Sequence, residues 1–174
     1  MTQPRPDREN VFITQLRVGD VITAYVAFSD DELGDASATG KKGRNMLHPV
    51  VVVCIHGATV IGAYLTSFKG KTSLTSTNLP GSSYDYFIPV APARKESRNQ
   101  VIYYDVTPDR PRCGWVGVRT AQIYTDTQYT RLIPQRFSPE TCWQILMRLR
   151  ENRAIQCASG SSRSRLCHMP GMRM

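Results

Sequence analysis

Three side chains and a short run of cations in this chain are of types that could handle a phosphodiester. His48 stands directly before Pro49 and the apolar run Val50–Val53. Thr66 and Ser67 close a second apolar run, Ala63–Leu65. Lys41, Lys42 and Arg44 sit just upstream of the histidine. Cutting RNA without a metal needs a base for the 2′-hydroxyl proton, cations for the charge on the phosphorane, and an acid for the leaving 5′-oxygen. Histidine exchanges a proton near neutrality. His48 is therefore a candidate acid/base, Arg44 a candidate phosphate clamp and Thr66 a candidate hydrogen-bond donor to the phosphate. A plainer reading stands beside each: His48 as a loop-end histidine bonded to a backbone carbonyl, Thr66 and Ser67 as ordinary strand-end hydroxyls.

Further contacts to a phosphate chain could come from Ser67, Lys41, Lys42, Lys69 and Arg119, with Arg131 as another cation. Tyr124 belongs to a set of tyrosines, with Tyr84, Tyr86, Tyr103, Tyr104 and Tyr129, interleaved with Arg94, Lys95 and Arg98. Exposed aromatics stack single-stranded bases. Tyrosines in strands more often pair across the sheet or fill the core. Gly-x-Ser-x-Gly, His-Glu-x-x-His and glycine-rich phosphate fingerprints are absent. The five cysteines are widely spaced without a Cys-x-x-Cys pair, which argues against a zinc site or a disulfide framework. No cofactor is expected.

The elements that must position these groups are mostly strands. Val21–Phe28 is β-rich with apolar groups on both faces, and residues 29–47 lack any apolar period, turning from acidic to basic. A strand is expected to start at Pro49 and run to Ile55, turn through His56-Gly57-Ala58, and pair back over Thr59–Leu65. Shorter strands are expected at Tyr86–Val90 (an edge, because of Pro89), Val101–Val106, Trp115–Val118 and Ala121–Tyr124, with Thr130–Ile133 extending the sheet. Val11–Leu16 fits either a helical turn or an added strand. Ser138-Pro139-Glu140 has the hydroxyl, proline and acid of a helix start. Cys142, Ile145, Leu146 and Leu149 then share one face of a helix ending near residues 153–156. Together these give a mainly β fold: a small β-barrel covered by a C-terminal amphipathic helix.

The chain has 174 residues, enough for one domain with short tails, and a net charge of +8 compatible with a polyanionic partner. Residues 1–10 read as a disordered lead, 11–156 as the domain and 157–174 as a disordered basic tail. No apolar run reaches the length of a membrane helix and no signal-peptide core is present, so a cytoplasmic location without membrane contact is expected.

The order of Gly19-Asp20, His48-Pro49, Leu65-Thr66-Ser67, Gln122-Ile123-Tyr124-Thr125 and the helix from Pro139 resembles the PemK/MazF toxin family, over roughly residues 17 to 153. The resemblance implies an SH3-like barrel and a metal-independent endoribonuclease acting on single-stranded RNA. It also implies a homodimer and an antitoxin-like peptide or protein partner. Thr66 matches the family's hydroxyl position. His48 stands where the family's loop arginine would be, and Tyr124 where its second arginine would be. A catalytically inactive barrel that binds protein or nucleic acid is the alternative.

Overall fold

The computed structural model describes residues 10–28, 46–125 and 129–158. Among them run eight strands, β1 Asn10–Phe12, β2 Asp20–Val26, β3 Met46–His56, β4 Thr59–Thr66, β5 Phe87–Val90, β6 Gly114–Gly117, β7 Gln122–Thr125 and β8 Tyr129–Arg136, followed by helix α1, Pro139–Ala158. All ladders are antiparallel, in the order β1-β8-β2-β3-β4-β6-β5, with β7 also paired to β4. The expected mainly β fold with a C-terminal helix is the fold observed, but among the described residues the strand order is linear and the sheet does not close into the expected barrel. Val11–Leu16 turns out to hold both of its alternatives, the end of β1 and a single 3-10 turn.

Burial on both sides of the hairpin β3–β4 sets the architecture. Val50, Val51, Val52 and Val53 are all buried, as are Val60 to Leu65 on the return strand. Alternation sends these side chains into two cores. Val51, Val53, Ile61, Ala63 and Leu65 join Val116, Val118, Phe137 and the helix residues Cys142, Ile145, Leu146 and Leu149. Val50, Val52, Val60 and Tyr64 face the other way, against Ile22, Val26, Leu74, Phe87 and Trp115. A bulge at Val53 puts Val53 and Cys54 together on the helix side. The apolar stripe expected on α1 is the face that packs there. Ser138 caps the helix, accepting from Thr141 N at 3.2 Å, and Asn152 at the far end donates to Val118 O at 2.9 Å. The helix runs to Ala158, past the expected end.

Gly19-Asp20 is structural. Gly19 has φ +98°, and a side chain there would strike the carbonyl of Phe137. Phe137 N donates to Gly19 O at 3.0 Å, while Asp20 accepts from Arg17 N at 2.8 Å and pairs with Arg136 at 3.4 Å. The motif therefore fastens the start of β2 to the strand-to-helix junction.

Two expected strands change. β3 starts at Met46, so Pro49 lies within it, opposite Thr23. A proline is tolerated there because pairing with β4 begins only at Val50, leaving the other edge of β3 unpaired at that point. Val101–Val106 forms no ladder. It makes isolated bridges from Ile102 to Val90 and from Val106 to Arg136, so it spans from β5, one end of the sheet, to β8. Its alternating pattern serves packing instead: Ile102 is buried and Tyr104 lies 4.6 Å from Phe137, while Tyr103 and Val106 are exposed. The expectations for residues 1–9, for 29–45 and for the tail from 159 fall outside the described residues.

Gly117 meets the ring of Tyr64 so closely that an added methyl would overlap it. Gly117→Ala should cost about 1–3 kcal/mol of stability through overpacking, measured by urea unfolding.

Candidate functional site

His48 sits at the root of β3, half-buried. Its Nδ1 lies 3.3 Å from the carbonyl of Leu65, the residue before Thr66. A carbonyl only accepts, so Nδ1 carries the proton and Nε2 of the neutral ring keeps its lone pair. Phe28 meets the ring edge-on at 5.0 Å, with Tyr64 at 6.2 Å. Burial lowers the pKa of His48 below 6.5, partly offset by the bond to Leu65. The plain reading, a histidine bonded to a backbone carbonyl, describes this bond. The same bond fixes a tautomer whose free nitrogen is a base.

Thr66 ends β4 one residue after the carbonyl that holds this histidine, and Ser67 follows. Thr66 Oγ1 accepts from Phe68 N at 3.1 Å, and Ser67 O accepts from Gly70 N and Lys71 N at 2.9 and 3.1 Å. Phe68, Lys69 and Gly70 all have positive φ, at 44°, 59° and 81°. Two non-glycine residues in this region are uncommon. The Phe68 ring holds the turn by packing 5.1 Å from Phe87 and 5.5 Å from Trp115. Lys69 is thereby held at the exposed apex.

Tyr124 and Arg119 take structural positions. Tyr124 donates to the carbonyl of Tyr25 at 2.9 Å, and burial raises its pKa. Two residues earlier, the buried Gln122 accepts from Ala27 N at 3.0 Å and donates to Ala27 O at 3.1 Å. Phe28 then stacks on Tyr64 at 4.9 Å. The Gln122–Tyr124 segment therefore pins the tail of β2 across the face that carries His48. Arg119 lies past the end of β6 farthest from Thr66, with its guanidinium 4.6 Å from the centre of the Tyr86 ring. It is not brought to the histidine. Arg44, Lys41 and Lys42 lie outside the described residues.

Of the candidate set, His48 is tied to the Leu65 carbonyl, Thr66 and Ser67 follow in the chain, and Lys69 lies on the adjoining turn. Sequence reasoning missed Phe28, Tyr64 and Gln122 as the frame of this site. Nothing in their local pattern marks them, because their partners lie on other strands. Among the described residues no group of three His, Cys, Asp or Glu could hold a metal ion, and no helix is long and apolar enough to cross a membrane. Burial pushes the Cys142 thiol up to about 12, as befits a core residue. No protein-family model matches the chain, and no curated protein matches it.

Between the folded and ordinary pKa of His48 the unfolded chain binds more protons. Its neutral form therefore adds stability that is complete above about 6.5 and is lost as pH falls through the lower folded value. Wild type should lose more stability between neutral and mildly acidic pH than His48→Phe does, in urea titrations at each pH. Gln122→Leu should cost about 1–3 kcal/mol by leaving both Ala27 backbone groups unpaired, with the loss read in the same assay.

Proposed function

We propose that this protein is an RNA-directed barrel of the PemK/MazF kind, a metal-independent endoribonuclease on single-stranded RNA. The observation that carries this reading is the His48–Leu65 bond. It leaves Nε2 as a lone-pair base on a ring tied to the residue just before Thr66 and Ser67. The lowered pKa keeps that base unprotonated at neutral pH. Nε2 would take the 2′-hydroxyl proton, and the 2′-oxygen would attack the adjacent phosphorus. A cyclic phosphate forms as the bond to the 5′-oxygen breaks, and that oxygen leaves with a proton from solvent or from the histidine just protonated. Thr66 would donate its hydroxyl hydrogen to a phosphate oxygen, since its bond to Phe68 N uses only an acceptor lone pair. Arg44, Lys41 and Lys42 would supply the positive charge from the segment before β3. In the cell this reading carries a cytoplasmic homodimer with an antitoxin-like partner.

A second reading has its own support. Tyr124, which stands where the resemblance places the second arginine, donates to the tail of β2, and Gln122 beside it holds the same segment. A barrel that kept its frame and binds without cutting would look like this.

The deciding experiment is cleavage of a labelled single-stranded RNA panel with EDTA present. Wild type should cut, leaving cyclic-phosphate and 5′-hydroxyl ends. His48→Ala should cut about a hundredfold more slowly or worse, and Thr66→Ala should be impaired. The acid limb of kcat/KM should have its midpoint below 6.5. Intact RNA after incubation with folded wild type would leave the binding module as the function.

A further inference from the structure

Three loops meet at the end of the sheet that carries Thr66. Thr66 pairs with Trp115 on β6, and the last residue of β5, Val90, pairs with Gly114. A methyl built on Gly114 would lie 3.6 Å from the Thr66 carbonyl and 3.9 Å from that of Arg112. The loop before β6 therefore abuts the end of β4. The loop after β5 is tied to the same region by Glu96, which accepts from Leu74 N and Ser73 Oγ, both at 2.6 Å. Residues 67–73, 91–96 and 107–113 thus form one continuous rim.

The rim is cationic in a way the separate stretches of sequence do not reveal. Lys69, Lys71, Arg94, Lys95, Arg110 and Arg112 are all exposed. None has an acidic partner among the described residues, where the ion pairs are Arg98–Asp85, Arg136–Asp20 and Arg148–Glu151. The rim's own acids are Glu96, engaged by the 73–74 turn, and Asp109. Tyr103, at 67% the most exposed large hydrophobic residue described, follows Ile102, whose backbone bridges to Val90 at the end of β5. Unpaired cations attract any polyanion. An exposed aromatic residue one position from the bridge at the root of the 91–96 loop favours one with stackable bases.

We propose that this rim is a track for single-stranded RNA, its cations on successive phosphates and Tyr103 under a base. It reaches through Arg94, Lys95, Arg110 and Arg112 beyond the His48 site. This rests on the RNA-directed reading above and extends it to a binding surface that works independently of cleavage. The track aligns the strand and selects against duplex, because a paired base offers no free face to Tyr103.

The test uses the full chain and a fluorescent 2′-O-methyl oligouridine, which lacks the hydroxyl needed for cutting. Anisotropy is read across a salt series. Arg110→Ala with Arg112→Ala, and separately Lys69→Ala with Lys71→Ala, should weaken binding and flatten the plot of log affinity against log salt. The expected change is about 0.7 per phosphate contact removed. Tyr103→Ala should weaken binding about fivefold to a hundredfold with the slope unchanged. Folding of each variant is checked by circular dichroism. A slope unchanged in both cation pairs overturns the track. So does full displacement of the oligomer by polyglutamate together with no effect of Tyr103→Ala, which would assign the rim to an acidic peptide. Binding by a protein that cuts no RNA would sink the ribonuclease reading and leave the track standing. Cutting with rim variants of unaltered affinity would do the reverse.

Discussion

The hairpin β3–β4 is buried on both faces, and every other element answers to that. A hairpin with one apolar face could lie on a single layer. This one needs cover twice, and each buried Val, Ile, Leu or Tyr is worth roughly 1.5–3 kcal/mol before entropy. Helix α1 covers one side through Cys142, Ile145, Leu146 and Leu149. The other is covered by β2, β5, β6 and the 3-10 turns around Leu74 and Leu79. The loops of the second layer have to close over Trp115 and Phe87, and this brings the 67–73 and 91–96 segments together at one end. The cationic rim is thus a by-product of how the second core is sealed.

The same economy governs the site around His48. The tail of β2 crosses the face of the hairpin and would expose Ala27 backbone groups without a ladder partner. Gln122 supplies both missing bonds, and Tyr124 adds a third at Tyr25. With the tail fixed, Phe28 reaches His48 and Tyr64. The imidazole is then held by a carbonyl on one side and aromatic edges on the other; burial depresses its pKa, the carbonyl bond partly offsets that, and the same bond sets the tautomer. Its chemistry is set by neighbours on β2 and β4, while its own strand supplies only its position.

Separating the polar duties makes sense of the charge distribution. Arg98 and Arg136 are matched by Asp85 and Asp20 and hold segments together. The cations at the rim are left to solvent, where their desolvation cost is small and their field reaches outward. Gly19-Asp20 belongs to the first group. Its acid and its left-handed glycine hold β2 against the strand-to-helix junction.

The sequence alone determined the class of fold, because the run Val50–Val53, the hairpin turn after it and the 142–149 stripe each satisfy a local period that only one kind of element can bury. It also determined the helix start, since Ser138-Pro139 acts through bonds within one turn. Its strand limits failed where packing replaced pairing: Val101–Val106 alternates correctly but touches the sheet at two points, and Pro49 is accommodated by a gap in a neighbouring ladder. Of the candidate residues, the places of His48, Thr66 and Ser67 at strand ends were legible because strand ends and turns announce themselves. Tyr124 and Arg119 have partners within the fold, the Tyr25 carbonyl and the Tyr86 ring, that no local pattern announces. Only the tertiary structure decided which nitrogen of His48 bears the proton, that Gln122 is a clamp, and that cations from three separate loops share one rim. Each of these depends on groups far apart in the chain, whose juxtaposition is fixed by the way two cores are closed around one hairpin.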